Sequence, residues 1–403
     1  MASRIDSSES DRTPLLATSN DARFRRERGN MPIWRHILEN KMTWAWYNVV
    51  IGSGAVAMLI YNLPHHPHKT WVIGAVVYLI SLVLFLAVLL THVVRFLVRP
   101  ALLPASMKHP LEGLHVPAMP TALGILILNG ATYAEKMHHN DRALRGFYWL
   151  FIVLALIFGV GSPLLQFSKS AHNRLTKPFS SDALNAVLPL LLAGPTAAVA
   201  LAHLPTAGHH GSALGIMSFG VALQGMGFFL SLLYQASVLS RLHNDGLPAA
   251  RERPALFINS IPAALTAWGA VGLAQQALRH FAAAAQPGGD SQPVVGGVAL
   301  YYVGVALALV FWGLAVWWFL VAAGACFIGA MGMRGESECL EGYMVVFAHA
   351  AVFLASNELL RAFQWPRGLT LLNEVLGVFT LVVWAALVLG GLFGVATGRF
   401  VRD

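Results

Sequence analysis

The amino-acid sequence predicts an all-α integral membrane protein, in which ten transmembrane helices follow one another as five tandem helical hairpins. Composition is the first observation behind this prediction: the 403 residues are 56% hydrophobic and only 11% charged, with a mean hydropathy of +0.61. A soluble domain carries about 25% charged residues, so the chain is too apolar for an ordinary soluble fold. The other two observations are long apolar segments and the regular distance at which they recur.

Apolar segments long enough to cross a bilayer recur along most of the chain. A membrane-spanning helix needs about 20 mainly apolar residues. Segments of this kind lie at 42–63, 71–98, 112–135, 145–168, 181–204, 212–240, 254–280, 294–325, 339–363 and 370–398. Short loops rich in proline, histidine, asparagine and charge separate them, such as "NLPHHPHKT". We therefore expect a ten-helix domain over residues 42–398, between an N-terminal tail at 1–41 and a short C-terminus at 399–403.

The distribution of positive charge predicts the orientation of these helices. The tail lacks the apolar core of a cleavable signal peptide, so we expect it to remain, disordered to amphipathic. With ten spans, the side that holds both termini collects 20 Lys and Arg residues and the other side collects 7. Because positively charged loops stay in the cytosol, both termini are expected there. Cys326 and Cys339 then flank a loop on the reducing side, and no disulfide is expected.

The odd-numbered segments begin about 70 residues apart, a period that indicates a tandem repeat. They also contain helix-breaking residues, whereas most even-numbered segments are unbroken runs of Leu, Val and Phe. These breakers are Gly52, Gly54, Pro117, Pro120, Gly124, Pro189, Gly194, Pro195 and Pro262. Proline frees a backbone carbonyl, which is tolerated where it lines a cavity or finds a partner. The pattern favours odd helices around a central pore; for any single proline, a packing kink is the alternative.

Several functional classes are disfavoured by the sequence. The charged residues form short clusters between apolar segments, which is typical of the flanks of membrane helices and not of a nucleic-acid-binding surface. The chain lacks the sequence motifs of hydrolases, zinc proteases, dithiol redox proteins and phosphate-binding loops. We therefore expect no enzymatic activity, no cofactor and no metal site, and a lipid bilayer as the surroundings.

Three stretches resemble a known family of membrane proteins. They are "MTWAWYNVVIGSGAVAMLIYNLP", "RFLVRPALLPASMKHPLEGL" and "ERPALFINSIPAALTAWGAVGLA". In order and spacing they resemble the first, second-to-third and seventh spans of the tellurite-resistance/dicarboxylate transporter family. That family includes fungal malic acid permeases, fungal sulfite efflux pumps and plant slow anion channels, and "TWAW" and "RPALFI" are most similar to the malic acid permeases. The resemblance implies five hairpins with the odd helices around a central pore.

The function that the resemblance implies is secondary transport of C4-dicarboxylates such as malate, linked to protons. A sulfite efflux pump or a gated anion channel on the same fold is the alternative. Family members carry a phenylalanine in the ninth span that occludes the pore, and Phe347 falls on that position, although Ala348 replaces the usual proline. Relatives include trimers, so a homo-trimer is a further expectation.

Polar residues within the odd spans are the candidates for lining the path and binding the anion. They are Asn48, Ser53, Thr121, Asn129, Thr196, His203, Asn259 and Ser260. Hydroxyls and amides can coordinate a carboxylate without the desolvation cost of a full charge. Hydrogen bonds between helices are the alternative use of each residue.

Two titratable residues are candidates for proton coupling, His349 and Glu358. His349 lies about 200° around a helix from Phe347, so the two side chains cannot both face the axis, and a seam between helices is the alternative for His349. Glu358 is spaced three residues from Arg361, and an ion pair between them is its alternative role.

The N-terminal tail contains an acidic dileucine pattern, formed by Asp11, Leu15 and Leu16. Sorting adaptors read this pattern on cytosolic tails. It makes a vacuolar membrane an alternative to the plasma membrane, with a sorting adaptor as a partner.

Overall fold

The computed structural model describes residues 37–64, 69–109, 111–134, 141–168, 181–206, 209–284, 292–328 and 336–397. Across these ranges the regular secondary structure is helical and no strand is present. The predicted all-α fold is therefore confirmed. The sorting motif of Asp11, Leu15 and Leu16 lies outside the described residues.

The helices follow one another as hairpins, each made of an odd-numbered and an even-numbered helix. The first five are α1 (Tyr47–Tyr61), α2 (Thr70–Val98), α3 (Ala118–Ala134), α4 (Asp141–Phe167) and α5 (Ala193–Ala202). The second five are α6 (His210–Asp245), α7 (Ile261–Ala284), α8 (Gln292–Ile328), α9 (Glu336–Phe363) and α10 (Arg367–Ala396). A short helix, Leu102–Lys108, lies between the first and second hairpins.

The odd-numbered helices form a closed ring. Helix α1 contacts α3, α3 contacts α5, α5 contacts α7, α7 contacts α9, and α9 returns to contact α1. Each of them also packs against the even-numbered helix of its own hairpin. In the apolar stretches of the four long odd spans, 67% to 89% of residues are buried, against 17% to 39% in the five even spans. The even helices therefore form an outer layer whose exposed apolar side chains face the lipid.

The fifth span, which supplies the third ring element α5, is shorter than the sequence predicts. Nine helices in the described ranges are long and apolar enough to cross a membrane, and the remaining segment, Leu188–Ala202, is shorter. It consists of a 3₁₀ turn at Ser181–Ala186, one α-helical turn at Leu188–Leu191, and α5. Pro189 lies in the first turn of the short helix, and Pro195 has no N–H to donate to the carbonyl four residues earlier. The amide side chain of Gln224 on α6 accepts a bond from the Gly194 N–H at 3.0 Å, which satisfies one backbone group next to the break.

Four of the five ring helices begin with 3₁₀ turns at the same face of the molecule. These turns are Trp44–Trp46, Glu112–Leu114, Ser181–Ala186 and Arg253–Ser260. They contact one another in ring order, and α9 contacts the first and the last of them. We call this the near face and the opposite end the far face. Because each hairpin crosses and returns, all five ring helices run from the near face to the far face.

Ring closure between the first and fifth hairpins depends on a glycine. A methyl group on Gly52 of α1 would lie 2.7 Å from the backbone oxygen of Tyr343 on α9. The neighbouring Gly54 faces α3, where the same group would lie 2.6 Å from the Ile125 side chain. The two glycines therefore let α1 approach both of its ring neighbours closely.

We predict that Gly52→Ala lowers the thermal unfolding midpoint of the purified protein in detergent. The new methyl group meets a backbone atom that cannot rotate away, and overpacking of this kind costs about 1–3 kcal/mol. Gly313→Ala on α8 is the matched control, because no atom lies within 4 Å of its added methyl group. Equal midpoints for the two variants would contradict the close contact of α1 with α9.

Candidate functional site

The side of α9 that faces the outer helices can be identified from the aromatic contacts of His349. The His349 ring lies 4.5 Å from Phe257 at the start of the fourth hairpin, 5.0 Å from Phe319 of α8 and 5.7 Å from Phe379 of α10, centroid to centroid. Its Nδ1 lies 2.7 Å from the carbonyl oxygen of Val345 one turn earlier. His349 therefore fills a seam between α9 and the outer layer.

Phe347 lies on the opposite side of the same helix. It is about 200° around α9 from His349, so it faces away from the outer layer and toward the interior of the ring. Its side chain is 2% exposed. Helix α9 runs without a break through Ala348, the position at which the resemblance leads one to expect proline. Phe353, in contrast, packs outward, because a methyl group on Gly377 of α10 would lie 2.9 Å from its ring.

Asn48 is a buried amide on α1 for which the structure shows no protein partner. Neither its Nδ2 nor its Oδ1 atom makes a hydrogen bond among the described residues, and the side chain is fully buried. Ser53 marks the outward side of α1, since its Oγ accepts a bond from the Trp384 indole of α10 at 3.0 Å. Asn48 is about 140° from Ser53 around the helix, which turns it toward the ring interior. A buried unpaired amide calls for a ligand or a water.

Hydroxyl groups on three ring elements donate to carbonyls of their own segment. Thr121 donates to the Pro117 carbonyl at 2.8 Å, Thr196 to that of Leu192 at 2.8 Å, and Ser260 to that of Phe257 at 2.7 Å. An anion is bound by donors, and these three protons are already in use. Their oxygens can still accept a hydrogen bond, as from a protonated acid or a water.

The remaining polar candidates also contact protein. Asn129 Nδ2 donates to the carbonyls of Gly54, at 2.9 Å, and Ile125, which links α3 to α1. Asn259 Nδ2 donates to the Leu256 carbonyl at 3.0 Å. His203 is half-buried at the C-terminal end of α5, at the far face.

A polar cluster lies at the far-face end of the ring. Glu358 and Arg361 of α9 approach to 3.4 Å, and the Gln275 side chain of α7 also hydrogen-bonds Glu358. Arg361 lies 3.4 Å from Asn62 at the end of α1. Glu358 is eleven residues from Phe347, a rotation of about 20°, so both lie on one stripe of α9. The Glu358 side chain is 18% exposed.

Sequence reasoning missed a buried charge cluster at the near face. Arg95 at the end of α2 is fully buried and bonds Glu112 at 2.9 Å, the Met42 carbonyl at 2.5 Å and the Glu39 carbonyl at 3.2 Å. Arg99 pairs with the Glu39 carboxylate at 2.5 Å. The stretches "RFLVRP" and "HPLE" contain both arginines and Glu112, so the motif spacing was a signal that these residues meet. The cluster fastens the segment before α1 to the first two hairpins.

The described residues contain no cluster of His, Cys, Asp and Glu that could hold a metal ion. Helical rotation turns the neutral Asn48 amide and the Phe347 ring toward the ring interior, and charged pairs lie nearer the two ends, at Arg95 and Glu112 and at Glu358 and Arg361.

A ring of parallel helices with a buried, neutral polar interior and a lipid-facing outer layer defines a multi-pass membrane transport protein. The chain belongs to the voltage-dependent anion channel family, whose sequence pattern matches residues 41–392. This confirms the family resemblance seen in the sequence. Members of this family are transporters and channels, so the chain is an anion transporter of this family and not an enzyme.

Individual relatives are similar over most of their length. A Schizosaccharomyces pombe protein named provisionally as a malic acid transport protein is 25% identical over 354 residues, which cover 86% of this chain and 78% of that protein. The malic acid transport protein of the same species is 22% identical over 357 residues, covering 86% and 76%. A sulfite efflux pump of Arthroderma otae is 22% identical over 346 residues, covering 85% and 86%.

We predict a strong energetic coupling between Arg95 and Glu112. Arg95→Met and Glu112→Leu should each lower the unfolding midpoint, because each leaves a buried charge without its partner, at a cost of about 3–5 kcal/mol. The double variant should lose much less than the sum of the two. Tryptophan fluorescence during heating in detergent measures all three.

The pair Arg251 and Glu252 is the control, since its side chains are 61% and 58% exposed. The same substitutions there should show no coupling. Additive losses at Arg95 and Glu112 would mean that their contact contributes nothing to stability.

Proposed function

We propose that the protein carries malate and similar C4-dicarboxylates through the centre of the helix ring, linked to protons, with Phe347 as the side chain that occludes the path. The substrate class is supported by two relatives named for malic acid transport. The main support for this path is the direction of the Phe347 side chain. His349 contacts the outer layer, and Phe347, about 200° away on the same helix, faces the ring interior.

Asn48 is the proposed anion ligand among the polar candidates. Its Nδ2 is a buried donor without a partner among the described residues, whereas the hydroxyls of Thr121, Thr196 and Ser260 already donate within their own segments. A neutral amide stabilises a carboxylate without fixing it too tightly for release, as conduction requires. Ser53, Asn129, His203 and Asn259 remain secondary candidates, whose contacts fit a structural role at least as well.

Glu358 is the proposed proton-coupling group, in preference to His349. Glu358 lies on the same stripe of α9 as Phe347, near the far-face mouth, and its side chain is 18% exposed. His349 lies between three aromatic rings, away from the ring interior. A titratable group must reach both the path and the solution to link proton movement to transport.

A sulfite efflux pump or gated anion channel is the second candidate function. It is supported by the similarity to a sulfite efflux pump, and by an interior whose neutral donors do not specify a carboxylate. Direct uptake of each labelled anion separates the two, because transport of sulfite without transport of malate would favour the second candidate.

The cellular setting is proposed from the sequence. The near face lies in the cytosol with both termini, on the count of 20 Lys and Arg against 7. Residues 1–41 form the cytosolic tail, whose motif at Asp11, Leu15 and Leu16 binds a sorting adaptor, and the membrane is the plasma membrane or the vacuole. A homo-trimer would contact through the lipid-facing outer layer.

We predict that Phe347→Ala raises uptake of radiolabelled malate in a host that lacks its own malate transport. Removing the ring should speed uptake by about tenfold if it contributes about 1.4 kcal/mol to the barrier. Phe353→Ala is the control, because Phe353 is fully buried on the same helix but packs against α10. It should reduce the amount of protein without raising uptake per molecule.

No change for Phe347→Ala at equal surface level would remove Phe347 as the occluding residue. No malate uptake by the unchanged protein would overturn the substrate assignment, and labelled sulfite would be tested next.

We also predict that Glu358→Gln removes the acid stimulation of malate uptake between pH 7 and pH 4, while uptake down a malate gradient persists. The amide keeps the hydrogen bond to Gln275 but cannot carry a proton. His349→Leu should retain the stimulation, because His349 lies outside the proposed path. Loss of stimulation in His349→Leu alone would reverse the two assignments.

A further inference from the structure

A groove between two outer helices has the features of an anion site. It lies between the first turns of α4 and α6, has a volume of about 360 Å³, and is lined by Arg142, Arg145, Gly146, Trp149, Gly211, Ser212, Gly215 and Ile216. None of these eight residues is acidic. The apolar windows of the two spans begin at Arg142 and Gly211, so the groove lies at the far-face boundary of the membrane.

The groove presents donors from both helices. Arg142 and Arg145 contribute two guanidinium groups, and the Nε of Arg145 is buried without a hydrogen-bond partner among the described residues. Ser212 adds a hydroxyl, and the first-turn backbone N–H groups of α4 and α6 lack partners within their own helices. Guanidinium and backbone N–H donors together suit the oxygens of a phosphate group.

The shape of the groove is built by small residues and fixed by one contact. Methyl groups on Gly146, Gly211 or Gly215 would meet nothing within 4 Å, so these glycines leave the space open. Tyr148 is fully buried beside them and donates its hydroxyl to the Ile216 carbonyl at 2.9 Å, which ties α4 to α6.

An apolar surface continues from the groove toward the middle of the membrane. Trp149 of α4 contacts Phe219 of α6 edge to face, with centroids 5.4 Å apart. Farther along the same faces, exposed side chains follow at helical spacing: Val153, Leu156 and Val160 on α4, and Met226 on α6. A ligand with a phosphate at the boundary and hydrocarbon below it would contact both parts, whereas a free anion would contact only the first.

The geometry points to a binding site for an anionic phospholipid in this groove, with the phosphate held by Arg142, Arg145 and Ser212 and an acyl chain along Trp149 and Val153. The site joins the outer helices of the second and third hairpins, so the lipid stabilises that seam. It is independent of what passes through the ring.

The test is lipid binding by the full chain in detergent, with dioleoyl phosphatidylglycerol, dioleoyl phosphatidylcholine or inorganic phosphate added. Bound lipid is counted by native mass spectrometry, and the unfolding midpoint is followed in parallel. We expect phosphatidylglycerol to bind and raise the midpoint, and the other two additives to have little effect.

Two variants remove the site in different ways. Arg142→Gln with Arg145→Gln removes the charges, and Gly215→Leu fills the groove while both arginines remain. Each should lower the apparent affinity for phosphatidylglycerol about tenfold or more. Arg367→Gln is the control, because Arg367 begins another outer helix at the same far face and should leave binding unchanged.

Equal phosphatidylglycerol binding by the unchanged protein and both variants would overturn the site. Equal stabilisation by inorganic phosphate would show a free-anion site instead of a lipid site, and equal binding of phosphatidylcholine would show that the lipid's net charge is not recognised. Loss of binding in Arg367→Gln as well would assign the effect to overall surface charge.

Discussion

Each ring helix has to pack against two ring neighbours and one outer partner at once, and this threefold packing governs the composition of the inner layer. In a bilayer the hydrophobic effect does not draw helices together, so close approach of backbones has to supply the attraction. Gly52 and Gly54 meet this demand on α1, and Gly269 meets it on α7, where an added methyl group would lie 2.9 Å from Pro195. Small residues in the odd helices are thus a consequence of ring closure.

The same packing determines where polar groups can lie. A side chain facing a neighbour must find a partner, as Asn129 does at the Gly54 carbonyl, and a charge can be buried only within a network such as that of Arg95. The interior face of the ring is the exception, because it has no neighbouring helix. Asn48 and Phe347 share that face, and the Asn48 amide has no hydrogen-bond partner there among the described residues.

The all-α fold and the inner and outer layers could be predicted from the sequence, because lipid exposure and burial leave different residues in even and odd segments. The opposite positions of Phe347 and His349 followed from helical rotation alone. The three aromatic partners of His349 could not be predicted, since they come from three segments whose relative rotation depends on the whole ring. The shortening of the fifth span could not be predicted either: its prolines were visible, but the Gln224 amide that bonds the backbone next to the break lies on another helix.

The common direction of the five ring helices gives the molecule an electrical polarity. A helix macrodipole is equivalent to about half an elementary charge at each end, so the five near-face ends together present on the order of +2.5 charges around the axis and the far-face ends a matching negative ring. The outer helices run the other way, but they lie farther from the axis and weaken this field without cancelling it there. An anion at the near-face end of the ring therefore meets an attractive field, whereas one at the far-face end meets a repulsive field.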